Sequence, residues 1–289
     1  MAQQTQKAPL RWSHLGDGEH LEAGVDEAGR GSLCGPVFAA AVVWGRSDDA
    51  EREARLRADP RMKLVRDSKK LSASQRDRAR AFIEAEALAW GVASVDAAEI
   101  DRVNVLRASM LAMRHSLDAL LQPGLVPRPG CVSGASKEWE GCAGSAGSAG
   151  SAGSAGSAGS AGSAGSAGSA GCALYVVVDG DRFEGYATPG DRGGGGGGGG
   201  GLAAYVCVPE ADALYLSVAA ASILAKTHRD EHVVKTMHPR FPHYGWDRNK
   251  GYGTAAHMRA IAERGPCEEH RRSFEPIKSY NGSRQSICP

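Results

Sequence analysis

From residue 21 onward, apolar runs alternate with polar turns in two different rhythms. LEAGVD at 21–26 and VFAAAVVW at 37–44 are runs of strand length, joined by EAGRGSLCGP, whose glycines and Pro36 mark a turn. Adjacent residues of a strand point to opposite faces, so Asp26 and Glu27 can share one site only if the strand ends at them. Gly29 and Gly31 allow such an ending. SASQRDRARAFIEAEALAW follows Ser72 with Gln75, a capping-box spacing that opens a helix. GVASV at 91–95 predicts a short strand. Asp96 and Glu99 repeat the capping spacing, and Ile100, Val103, Leu106, Met110, Met113, Leu117 and Leu120 recur at helical period, which predicts one core-facing helix.

ALYVVVDGDRF at 173–183 is a continuous β-branched run that ends in acids, as expected of a strand buried on both faces. AAYVCV at 203–208 predicts a further strand. LSVAAASILAKTHRDEHVVKTM then reads as a long helix whose small residues, Ala219–Ala221 and Ser222, permit close packing. Strands and helices interleave along one chain, which predicts an α/β architecture with helices over a largely buried sheet.

Two stretches interrupt this pattern: a Ser-Ala-Gly repeat at 143–171 and unbroken glycine at 193–201. Neither can bury enough apolar surface to offset the entropy of ordering, so both are read as surface insertions. About 250 of the 289 residues remain, which suits one domain. Its expected bounds are 21–280, between a flexible segment at 1–20 and a tail at 281–289.

The 34 basic and 33 acidic residues give a net charge of +1, so no global basic field announces a polyanion partner, and any nucleic-acid site must be a local patch. Seven cysteines include no C-x-x-C pair, and the odd count argues against a zinc knuckle or a complete disulfide framework. Of the nine histidines only His228 and His232 stand at H-x-x-x-H spacing, and all nine read as surface or packing residues, His270 included. No stretch approaches eighteen apolar residues, and the first twenty residues lack the apolar core of a secretory signal. The expectation is a soluble, cytoplasmic, monomeric protein, with an organelle as the alternative compartment.

Three places put acids at strand ends or just beyond: Asp26 with Glu27, Asp179 with Asp181, and Asp212. Ligands collect at the carboxyl ends of strands in open α/β sheets, so these acids can converge although they are far apart in sequence. Two like charges 4 Å apart repel by roughly 4 kcal/mol at an effective dielectric of about 20, a repulsion that a divalent cation removes. Carboxylates without paired histidine or cysteine select a hard ion, magnesium or manganese, and such ions act on phosphates. Strand-end acids that merely cap or face solvent are the plainer alternative.

DEAGRG at 26–31 resembles the opening signature of the type 2 ribonucleases H, the ribonuclease HII family. The resemblance continues through DSKKLS at 67–72, EIDRVNVLRASMLAM at 99–113, VVVDGDRF at 176–183, SVAAASILAKTHRDE at 217–231, FPHYGWDRNKGYGTAAH at 241–257 and HRRSF at 270–274. It implies a ribonuclease H-like mixed sheet flanked by helices, with a C-terminal helical extension. It also implies an endonuclease that acts on RNA/DNA hybrids and at ribonucleotides embedded in duplex DNA, leaving 3′-hydroxyl and 5′-phosphate ends. Four acids would bind two metal ions. By motif these are Asp26, Glu27, Asp179 and Asp212, with Asp230 as a competing candidate for the fourth, expected to be structural. Two departures stand out: Glu210 and Ala211 replace the usual lysine and glycine before the fourth acid, and Asp181 replaces an amide side chain.

A ribonuclease must detect the 2′-hydroxyl, and a tight glycine turn can bring backbone groups to it; Gly29, Arg30 and Gly31 are the candidates. In the family, the tyrosine matching Tyr252 packs on the deoxyribose that follows the ribonucleotide. Lys69, Lys70, Arg271, Arg272 and Ser273 are candidate phosphate contacts. Two rival readings remain open: a hybrid-binding protein whose metal site is spoiled by Glu210 and Asp181, and a DNA-strand-transfer nuclease of similar fold.

Overall fold

The structure is a computed structural model that describes residues 9–16, 20–46, 49–121, 174–184 and 204–280. Both insertions and the tail from 281 lie outside the described residues. The strands are β1 (Leu21–Ala28), β2 (Val37–Arg46), β3 (Ala89–Val95), β4 (Leu174–Asp179) and β5 (Ala204–Val208). The helices are α1 (Ala50–Ala58), α2 (Ala73–Glu86), α3 (Ala97–Val103), α4 (Val105–Leu120), α5 (Leu216–His232), α6 (Trp246–Asn249) and α7 (Ala255–Arg264).

The strands form one mixed sheet in the order β3-β2-β1-β4-β5. β1, β2 and β3 are antiparallel neighbours, whereas β4 runs parallel to both β1 and β5. Alternate side chains divide the interior into two layers. Ala23, Val25, Ala39, Ala41, Val176 and Val178 face Ala112, Met113 and Leu117 of α4. Ala40, Val42 and Trp44 face Ala220, Ile223 and Leu224 of α5, with Phe82 and Ile83 of α2 beyond. Val176, Val177 and Val178 are all fully buried, as their continuous apolar run predicts, and each such side chain contributes about 1.5–3 kcal/mol by leaving water. α5 crosses β1 so closely that a Cβ on Gly24 would lie 2.3 Å from the Ser217 and Val218 backbone.

Three expectations are corrected. β1 does not stop at Asp26: pairing with β2 continues through Glu27↔Ala39 and Ala28↔Phe38. What stops is the parallel ladder to β4, whose last pair is Val25↔Val178, so the two acids stand just past the point where β1 loses that neighbour. The single helix over 97–120 is two, because Asn104 takes φ 75° and its side chain accepts from the Leu106 and Arg107 amides to start α4. Residues 9–16 of the supposedly flexible N-terminal segment pack on the domain. Arg11 bonds the Leu214 carbonyl and the Leu216 amide, buried Trp12 donates to the Arg46 carbonyl at 3.1 Å, and the Glu22 carboxylate accepts from Ser13 and Leu15.

After α5 the chain continues through a π-helical turn at Val233–Met237 into a small lobe built on Tyr244, Trp246, Ile261 and Ile277. Leu33 and Cys34 also belong to that cluster, which ties the turn after β1 to the C-terminal segment. Backbone bonds from Leu33 N to Gly251 O, Gly35 N to Glu269 O and Arg271 N to Leu33 O clamp the turn from both sides.

Candidate active site

Asp179 is where the acids meet. It ends β4 opposite Val208 of β5, and one of its oxygens accepts from the Ala211 amide at 2.7 Å. That bond draws the Ala211–Ala213 turn, and with it Asp212, to the carboxyl end of the sheet. Burial holds the Asp26 carboxyl well above the usual range, and the nearby charges of Glu27 and Asp179 push it further. Glu27 is also raised, first by burial and then by Asp179, against the opposing pull of Arg30, whose Nη1 stands 3.1 Å from Glu27 Oε1. Asp212 is raised by burial, then by Asp179 and Asp67. Asp179 therefore acts electrostatically on each of the other three candidate acids.

Such a gathering of buried negative charge fits a hard divalent cation by its all-oxygen donors and by the repulsion a cation would relieve. As the side chains lie, no group of three or more His, Cys, Asp or Glu among the described residues is already closed into a metal-holding set.

A second layer holds the first. Ser222 of α5 hydrogen-bonds the Asp26 carboxylate, and its Oγ lies 3.0 Å from that of Ser68. Ser68 opens the short turn that carries Lys69 and Lys70, both exposed. That turn is capped by Asp67, which accepts from the Lys69 amide and pairs with Lys70 at 2.9 Å. Lys69, Lys70, Asp67, Glu210 and Asp212 line a cleft of about 200 Å³ beside the acids. Glu210, at φ 56°, is exposed there together with the lysines, while exposed Asp181 faces Cys207.

Gly29, Arg30 and Gly31 lie beside this cluster. Arg229, fully buried on α5, supports them from below by donating to the Pro36, Cys34 and Lys250 carbonyls and to Ser32 Oγ. Its guanidinium also lies 5.4 Å from the centre of the Tyr252 ring, which Lys226 covers at 5.0 Å. Asp230 pairs with Lys226 at 2.9 Å, on the body of α5, in keeping with a structural part.

The C-terminal phosphate candidates need correction. Arg271 is fully buried, with its N–H groups spent on the Gly35 and Arg30 carbonyls, so it braces the glycine turn from inside and is closed to a phosphate. Arg272 and Ser273 already hold an anion: the Asp101 carboxylate takes both backbone amides and the Ser273 hydroxyl. Sequence reasoning also passed over Ser68, Ser222, Arg229 and His257. A hydroxyl in the otherwise apolar AAAS face of α5 was the available signal for Ser222.

A mixed five-stranded sheet with helices on both faces, collecting carboxylates where its central strands end, is a ribonuclease H-like protein. The ribonuclease HII family model matches residues 23–123 and 203–277. The ribonuclease HII of Bordetella pertussis is 36% identical over 89% of this chain and 90% of its own length, and that of Bacteroides thetaiotaomicron is 35% identical over 88% and 89%. The solved ribonuclease H2 of Pyrococcus horikoshii shares the fold with a TM-score of 0.54 at 20% identity, covering 89% of this chain and 95% of that one. The chain belongs to the ribonuclease HII family, whose members cleave RNA in RNA/DNA hybrids. Among the described residues no helix is long and apolar enough to cross a membrane.

Proposed function

We propose that this ribonuclease both cleaves the RNA strand of hybrids and incises duplex DNA at a single embedded ribonucleotide, leaving a 3′-hydroxyl and a 5′-phosphate. The observation that carries the reading is the electrostatic convergence of Asp26, Glu27 and Asp212 on Asp179 beside the glycine turn. Asp26, Glu27, Asp179 and Asp212 would hold divalent magnesium or manganese. Once bound there, such a cation would lower the pKa of a water and offset charge on the phosphate.

The chain's own residues do the rest. Asp179 holds the Asp212 turn through the Ala211 amide, and Ser222 orients Asp26, so the acids are positioned before substrate arrives. Arg30 restrains Glu27 from the solvent side. Lys69 and Lys70 present exposed cations to the substrate backbone, where contacts fix position without reading sequence. Backbone groups of Gly29, Arg30 and Gly31 sense the ribose hydroxyl, and the Tyr252 ring packs on the neighbouring deoxyribose.

The test is a cleavage assay on three duplexes: a continuous hybrid, DNA carrying one ribonucleotide, and all DNA, each with magnesium, manganese or chelator. Ion-dependent cutting of the first two alone is expected. Equal cutting of all DNA would favour a strand-transfer enzyme, and tight hybrid binding without cutting would favour the binding protein.

A further inference from the structure

Tyr252 is held from behind by a directed chain of hydrogen bonds among buried side chains. Trp246 and His257 are fully buried, and His270 is 1% exposed. The Cys267 amide lies 3.0 Å from His270 Nδ1, His270 Nε2 lies 3.2 Å from His257 Nε2, and His257 Nδ1 lies 3.0 Å from the Tyr252 carbonyl. The Trp246 indole donates to His257 Nε2 at 3.0 Å.

Both ends fix the proton positions. A backbone amide can only donate, so Nδ1 of His270 is an acceptor, and the neutral ring carries its proton on Nε2. An indole also only donates, so Nε2 of His257 accepts, and its proton sits on Nδ1. A carbonyl only accepts, which requires that same Nδ1 proton. Three independent constraints agree on one pair of tautomers, and the chain runs one way, from Cys267 through both imidazoles to Tyr252.

We propose that His257 and His270 are positioning residues for Tyr252: they fix the carbonyl of the residue whose ring, on the functional reading above, packs on the deoxyribose beside the ribonucleotide and so favours a ribonucleotide-to-DNA junction. Lys250 and Gly251, just before Tyr252, both have positive φ, and their carbonyls are held by Arg229 and Leu33; the Tyr252 carbonyl accepts from the Thr254 amide and from His257, whose ring ties the far side of the loop to α7. His257 reaches back to the loop from α7 and packs edge-on against the Tyr244 and Trp246 rings.

Isosteres separate a specific bond from mere packing. Asparagine at 257 places a donor where Nδ1 stands; leucine places none; both lose the Nε2 acceptor that serves Trp246 and His270. His257→Leu is expected to lower the preference for one embedded ribonucleotide over a continuous hybrid by about fivefold, the equivalent of about 1 kcal/mol for one buried hydrogen bond, whereas His257→Asn keeps it. Equal preferences in the two variants would overturn the proposal. Should His257→Leu fail to fold, His270→Gln, which keeps the Nε2 donor, against His270→Leu, which does not, asks the same question with the same expected split.

Amide hydrogen exchange at Thr254 reads the positioning without any substrate. Faster exchange in the leucine variant than in the asparagine variant supports the chain of bonds, and identical exchange contradicts it. If Tyr252→Ala leaves the preference intact while the exchange difference stands, it is the role assigned to the tyrosine ring that fails.

Discussion

Gly29 lies against the guanidinium of Arg229: a Cβ at Gly29 would stand 2.1 Å from Nε, at a backbone φ of +96°. Gly31, two residues on, has nothing within 4 Å of where its Cβ would be. The two glycines of one motif thus stand in different surroundings. The first makes room for the protein's own support, and the second leaves open space where, on the proposed function, the substrate sugar would lie.

Gly31→Ala should therefore melt within about 1 °C of the parent and bind less ribose-bearing duplex, since only substrate meets the new methyl. Gly29→Ala should lose about 1–3 kcal/mol of stability through strain and the displaced Arg229. Thermal melts paired with hybrid affinities separate the two, and a strongly destabilised Gly31→Ala would refute the distinction.

Magnesium should raise the melting temperature, because an ion bound only by the folded acids stabilises by about 2.7 kcal/mol at a hundred times its Kd. That amounts to about 5–10 °C for a domain of this size. Asp179→Asn should abolish the shift, since the Asp179 charge acts on each of the other three acids. Differential scanning calorimetry with and without the ion measures it.

Burial holds His270 down to about 3, helped by its neighbours His257, Arg272 and His243. An imidazole lowered in the folded state is protonated first in the unfolded one, so stability is full above about pH 6.5 and falls with pH towards 3. The loss is at most about 1.4 kcal/mol per pH unit. Comparing urea midpoints of the parent and His270→Gln from pH 7 to 5 isolates this group from the carboxylates: the parent should lose more.

Lys69→Ala should weaken binding to hybrid and reduce the salt slope by about one ion. Arg271→Lys should leave that slope unchanged and instead destabilise by about 1–3 kcal/mol, because lysine cannot replace the bonds to the Gly35 and Arg30 carbonyls. Affinity measured across a salt series, beside denaturant unfolding, distinguishes the two residues.

The periodicities that were legible in the chain are those set by local burial. Val176–Val178 read as doubly buried because three consecutive apolar residues admit little else, and Ser72 with Gln75 form the expected capping box. The break at Asn104 was hidden because the apolar positions on either side keep a helical spacing across it. Charge misled at Arg271, where an RR pair in a polar stretch reads as surface, yet backbone carbonyls from the turn after β1 enclose the first guanidinium. The Ser68–Ser222 contact and the His257–His270 pair join residues brought together only by tertiary packing, which no local spacing encodes. The strand-end acids were legible as types, and the ladder end at Val25↔Val178 that lets Asp26, Glu27 and Asp179 share a site was not.

The most direct measurement is the single-turnover cleavage rate of Asp26→Asn on an RNA/DNA hybrid at saturating magnesium, with hybrid affinity recorded alongside. A rate reduced by at least about a hundredfold, with affinity nearly unchanged, is expected of a buried carboxylate that holds the reacting centre's charge. A rate within a few-fold of the parent would contradict the assignment of these acids to the chemistry.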